Sequence, residues 1–74
     1  MRVTIVTNMK DGSQRIGSDI TSFDLAFRHI MAHVNSGHAN NVLEHIIISS
    51  DGNVSKVDAN GKGLGFMKME ENNG

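Results

Sequence analysis

The sequence predicts an α+β domain, an antiparallel sheet of about four to five strands with one helix packed on one face, in the order ββαβββ. Three observations predict it. Residues 2–8, Arg-Val-Thr-Ile-Val-Thr-Asn, are β-branched and alternate, as a half-buried strand requires. Apolar side chains between Phe23 and Val34 recur at helical spacing. Beyond Asn41, strand-like runs are separated by Asp51-Gly52 and Asn60-Gly61, dipeptides that supply the positive φ of hairpin turns.

In the first half, Asp11-Gly12 follows the opening strand and marks a turn, and a weaker return strand runs from Ser13 to Gly17. The helix is expected over residues 22–36. Thr21 and Asp24 stand at capping-box spacing, and Ile20 and Leu25 at the positions of a hydrophobic staple. At 100° per residue, Phe23, Phe27, Ile30 and Val34 form one stripe, flanked by Ala26 and Met31. Gly37 suits the left-handed residue that ends a helix.

The second half reads as a three-stranded meander, Val42–Ser49, Asn53–Ala59 and Lys62–Met69. Two-residue loops at both turns would set Val57 opposite Leu64, Ser55 opposite Phe66, Ile46 opposite Val57 and Ile48 opposite Ser55. The core face beneath the helix would then hold Ile46, Ile48, Val57, Leu64 and Phe66. The domain is expected over residues 1–69, with 70–74 a disordered tail.

The 74 residues include no cysteine, proline, tyrosine or tryptophan. Disulfides and thiolate metal sites are therefore excluded, and so small a chain builds only a thin core. Oligomerisation remains as a stabilising device. Seven basic residues against eight acidic ones leave the formal charge at −1, which argues against a non-specific nucleic-acid binder. The opening strand is not a signal peptide, and runs such as Ile46-Ile47-Ile48 are far too short to span a membrane. A soluble, cytoplasmic protein is expected.

Candidate chemistry is sparse. His29 and His33 stand at i, i+4 on the helix, on the flank opposite Met31. Ile30 occupies the place where a zincin carries its glutamate base, and zinc would need His38 or His45 as a further ligand. Asp58-x-Asn60-x-Lys62-Gly63 has the opening of a calcium loop, but Lys62 and Met69 replace two oxygen ligands. Gly61-Lys62-Gly63-Leu64-Gly65 lacks both the upstream glycine and the following Ser/Thr of a phosphate loop. Lys62–Met69 resembles the RNP1 octamer of RNA-recognition motifs in its basic-Gly opening and central Gly65-Phe66. It departs at Leu64 and Met69, where that motif is aromatic. Asp19, Asp24, Glu44 and Asp58 are scattered singly, so neither catalysis nor a cofactor is expected.

The leading expectation is a small non-catalytic binding or structural module, acting as a homodimer or docking on a protein partner. The same register puts Ile47, Val54 and Met67 on the second sheet face, bordered by His45, Ser49, Lys56 and Met69. Such a face should be more polar if it met only solvent. His45, alternating with Ile47, would make that assembly sensitive to mild acid. The alternatives are a nucleic-acid-binding accessory role through Lys56, Lys62 and Lys68, and a histidine metal site at His29 and His33.

Overall fold

The computed structural model describes residues 1–68. Its elements are β1 (Val3–Met9), β2 (Gln14–Ile20), α1 (Phe23–Asn35), β3 (Val42–Ser49), β4 (Asn53–Asp58) and β5 (Gly63–Lys68). The strands form one antiparallel five-stranded sheet, ordered β2-β1-β3-β4-β5. The expected α+β class and ββαβββ order are what the chain adopts. Met69 and residues 70–74 lie outside the described residues.

One turn design recurs in all three hairpins. Each has a three-residue loop, Lys10-Asp11-Gly12, Ser50-Asp51-Gly52 or Ala59-Asn60-Gly61. The glycine N–H closes each loop onto the carbonyl of Met9, Ser49 or Asp58 at 3.0, 3.1 and 3.0 Å. The glycines have φ of 92°, 97° and 86°, the left-handed residue that completes a type I turn with a bulge. Neighbouring polar side chains brace these loops. Asp11 accepts from the Ser13 N–H and hydroxyl, and Asp58 accepts from the Asn60 and Lys62 N–H groups. The Asp58 segment, which opens like a calcium loop, is thus a hairpin turn.

The extra loop residue overturns part of the expected register. Ser55 does pair with Phe66, but Val57 pairs with Gly63 rather than Leu64. Between β3 and β4, His45 pairs with Val57, Ile47 with Ser55 and Ile48 with Val54. A slip of one residue reverses the faces of a strand. Ile47 is therefore fully buried beneath the helix, while Ile46 and Ile48 lie half-buried on the other face. Among the described residues the core holds Val3, Ile5, Ala26, Ile30, Ile47 and Val57, with Ile20, Phe23, Phe27 and Val34 packed against it and Val42 also buried. The side chains of Leu64 and Phe66, expected there too, lie outside the described residues. The helical stripe is as expected, and Ile46 and Ile48 are not part of the core.

The helix also starts one residue later than its sequence signals imply. Ser22, with extended φ and ψ of −159° and 161°, is the N-cap, and its hydroxyl accepts from the Leu25 N–H at 3.1 Å. Thr21 is exposed, so Thr21 and Asp24 do not form the capping box. Leu25 is exposed rather than stapled to Ile20. At the other end Gly37 has φ 82°. Its N–H bonds Val34 O at 3.1 Å and the His38 N–H bonds His33 O at 2.9 Å, the paired closure that ends a helix at a left-handed glycine. Ser22→Ala should cost about 0.5–2 kcal/mol in urea unfolding, whereas Thr21→Ala should stay within about 0.5 kcal/mol of wild type.

Candidate functional site: an open sheet face and a histidine-lined cleft

Alternation along the strands sorts the side chains. Val3, Ile5 and Thr7 of β1, His45, Ile47 and Ser49 of β3, and Ser55 and Val57 of β4 share the helix side of the sheet. The opposite side carries Thr4 and Val6, Ile46 and Ile48, and Val54 and Lys56. Ile16 of β2 pairs with Val6 and extends it at one edge, and on β5 Met67 is the register partner of Val54. Ile16 is 66% exposed. The helix packs on β1, β2 and β3 from the other side. Among the described residues no element crosses this second face. The first hairpin lies within the sheet and adds Val6 and Ile16 to that face.

An open apolar face is therefore present, with a different membership from the expected Ile47, Val54, Met67, Met69 and His45. Val54 lies on it and Met67 is in register with Val54. Ile47 and His45 are on the helix side because the Ser50-Asp51-Gly52 loop has three residues. Val6, Ile16, Ile46 and Ile48 take their place. Glu44 and Lys56 stand beside the patch 3.7 Å apart, and Gln14 donates to Asn8, which donates to Glu44. That polar string borders the apolar patch on one side.

On the helix side a cleft of about 360 Å³ opens between α1 and the β1–β2 hairpin. Ile5, Ile20, Leu25 and Ile30 form its apolar wall, Thr7, His29, His33 and His45 line one polar side, and Ser18, Asp19 and Thr21 line the end next to Ile20. A smaller cavity continues past Thr7, His33 and His45 to Arg15, His38 and Val42. The helix is oriented by Met31 on its other flank. A Cβ at Gly61 would come within 2.5 Å of the Met31 sulfur, so that flank sits against the β4–β5 turn. All four histidines of the chain thus meet along one groove. The i, i+4 spacing signalled His29 and His33. His45 joins them because of the same one-residue register that buries Ile47.

His45 is 4% exposed, and its Nδ1 is 2.8 Å from the Thr7 hydroxyl. Among the described residues no buried side-chain nitrogen lacks a partner and Nε2 makes no hydrogen bond, so this nitrogen reaches the solvent of the cleft. Burial pushes the His45 pKa below its ordinary value of 6.5. The charge of His33 adds to that effect and Asp58 opposes it. The rings of His33 and His38 lie 6.0 Å apart. Among the described residues no three histidines or carboxylates converge on a point where they would hold a metal ion. Of the lysines invoked for nucleic acid, Lys56 is engaged by Glu44 on the open face and Lys62 is exposed at the β4–β5 turn. Among the described residues no helix is long and apolar enough to cross a membrane. Neither a family model, nor a curated protein, nor a solved structure matches this chain.

Proposed function

We propose that the domain is a non-catalytic binding module that pairs with a second copy of itself through the open sheet face. The observation that carries this reading is the apolar surface of Ile16, Val6, Ile46, Ile48 and Val54, running from β2 to β4 with Thr4 and Lys56 at its margins and Met67 in register beyond it. Such a surface in water is costly, at roughly 25 cal/mol for each Å² of apolar area left exposed.

A second copy is the occupant that fits. Two five-stranded faces are each about 19 Å across at the usual strand spacing of about 4.8 Å. Stacked as a sandwich, they would bury on the order of 1,000 Å², the lower bound for a specific interface. Glu44 and Lys56 lie side by side, so a two-fold axis lets each copy present its carboxylate to the partner's ammonium. Edge-to-edge pairing at β2 is less suitable. Its ladder with β1 is interrupted between Val3 and Ile5, and Asp19 there has φ 65°, the kind of irregularity that blunts an edge.

Sedimentation equilibrium at tens of micromolar tests the reading. Wild type should give twice the 8.0 kDa chain mass, and Ile46→Lys should sediment as a monomer with an unchanged far-UV spectrum. Wild type monomeric throughout, or a dimer indifferent to Ile46→Lys, contradicts it.

A further inference from the structure

We propose that the histidine-lined cleft binds a small carboxylate with an apolar body, held by His45, His33 and Arg15 at its head and by Ile5, Ile20 and Leu25 along its tail. The site is separate from the open sheet face and does not depend on dimerisation.

Three observations converge on that chemistry. The first is His45 itself, an imidazole more than nine-tenths buried. Thr7 fixes its orientation through Nδ1, and the second ring nitrogen is left in the cleft without a protein partner. When the Thr7 hydroxyl donates to Nδ1, Nε2 carries the proton and is a donor aimed at whatever enters. With the ring held in place and this nitrogen open to the cleft, His45 offers one oriented polar contact to a ligand that displaces the cleft water.

The second observation is the cation at the far end. Arg15 pairs with Thr7 across β1 and β2 and lines the continuation of the cleft beside His33 and His38. It makes no ion pair or hydrogen bond among the described residues, although Asp11 feels its charge. A guanidinium beside imidazole donors suits a carboxylate.

The third observation is the division of the walls. The imidazoles gather where the two cavities meet at Thr7, His33 and His45, and Ile20 and Leu25 lie on the other side, where the exposed Ser18, Asp19 and Thr21 also line the cleft. A volume of about 360 Å³ falls at the small end of ligand pockets, which hold a few converging polar groups in an apolar lining. Inorganic phosphate would leave the aliphatic wall empty. A neutral alcohol would leave Arg15 unmatched.

Titration with hexanoate, hexan-1-ol and inorganic phosphate, followed by the imidazole proton resonances, distinguishes these cases. Hexanoate should shift the His45 and His33 resonances saturably, and at least tenfold more tightly than hexan-1-ol or phosphate. Arg15→Gln, at an exposed strand position, should weaken hexanoate about tenfold while leaving the melting temperature in place. Absence of saturation up to about 10 mM overturns the proposal. So does equal binding of hexan-1-ol, or hexanoate shifts confined to Val6, Ile46 and Ile48. Ile46→Lys, which should disrupt dimerisation, should leave hexanoate binding unchanged, so failure of either reading is seen without the other.

Discussion

Ile47→Ala should destabilise the domain by about 2–5 kcal/mol, the range for truncating a fully buried aliphatic side chain whose cavity cannot collapse. Ile47 is 0% exposed in the middle strand of the sheet, packed with Val3, Ile5, Ile30 and Val57. Domains of this size have only about 5 kcal/mol to lose, so the variant should be partly unfolded in buffer at 25 °C. Ile46→Ala and Ile48→Ala remove the same atoms from half-buried positions on the other face. Measured in dilute, monomeric protein, each should cost about 1 kcal/mol or less. Urea titrations of the three variants read the ranking directly. If Ile46→Ala proved costlier than Ile47→Ala, the two-residue turn would be restored and the core assignment reversed.

His45 should show the second large effect. His45→Ala removes a buried ring from beneath the helix and leaves the Thr7 hydroxyl without its partner, at a cost on the order of 2–4 kcal/mol. The residue also sets a pH dependence whose sign follows from its surroundings. Desolvation lowers its folded pKa below 6.5, reinforced by His33 on the helix and opposed by Asp58 on β4. As pH falls below about 6.5, the unfolded chain takes up the proton before the folded one does. Stability therefore declines from that point down to the folded pKa and then levels. Wild type should be less stable at pH 5.5 than at pH 7.5 in urea unfolding, and His45→Gln should have a flatter profile across that window. The carboxyls of Asp11 and Asp51 are held below the ordinary 3.8 chiefly by hydrogen bonds from Ser13 and Ser49. Their contribution is present above that value and is lost only as pH falls through their lowered pKa values, below the pH 5.5 to 7.5 comparison. A profile unchanged by His45→Gln would remove His45 as the cause. The acid effect thus belongs to helix packing, rather than to an interface bordered by His45 as the alternation with Ile47 had implied.

What was legible in the sequence follows from where its signals are redundant. The helical stripe of Phe23, Phe27, Ile30 and Val34 is apolar on one side only, and Gly37 ends it, so the helix and its buried face emerge from the residues alone. β4 alternates Val57 inward with Lys56 outward, and its face was equally readable. β3 offers no such contrast, because Ile46, Ile47 and Ile48 are apolar at consecutive positions and either face satisfies a core. The decision then rested on loop length. Asp-Gly and Asn-Gly serve both as a two-residue turn and as the last two residues of a three-residue one. The chain uses the longer form each time, and one residue exchanged Ile46 and Ile48 for Ile47 and His45. The same exchange hid the cleft. Among the four histidines only the pair at i, i+4 had a sequence signature, whereas His45 and Arg15 reach the groove through strand register. At the helix start, Thr21 and Ser22 are both capping residues in adjacent positions, and geometry selected the second.

Because the chain has no native cysteine, single cysteines at positions 46, 47 and 48 can report face and assembly together. The most direct measurement is the rate of thiol labelling of Ile46→Cys, Ile47→Cys and Ile48→Cys over protein concentrations spanning dimer and monomer. The stability of each variant is used to correct for opening. Cysteine at 47 should be protected at every concentration. Cysteines at 46 and 48 should label rapidly when dilute and slow as concentration rises and the open face is covered. Rapid labelling at 47 alongside protection at 46 would contradict the register, and rates at 46 and 48 independent of concentration would contradict the pairing of two copies through this face.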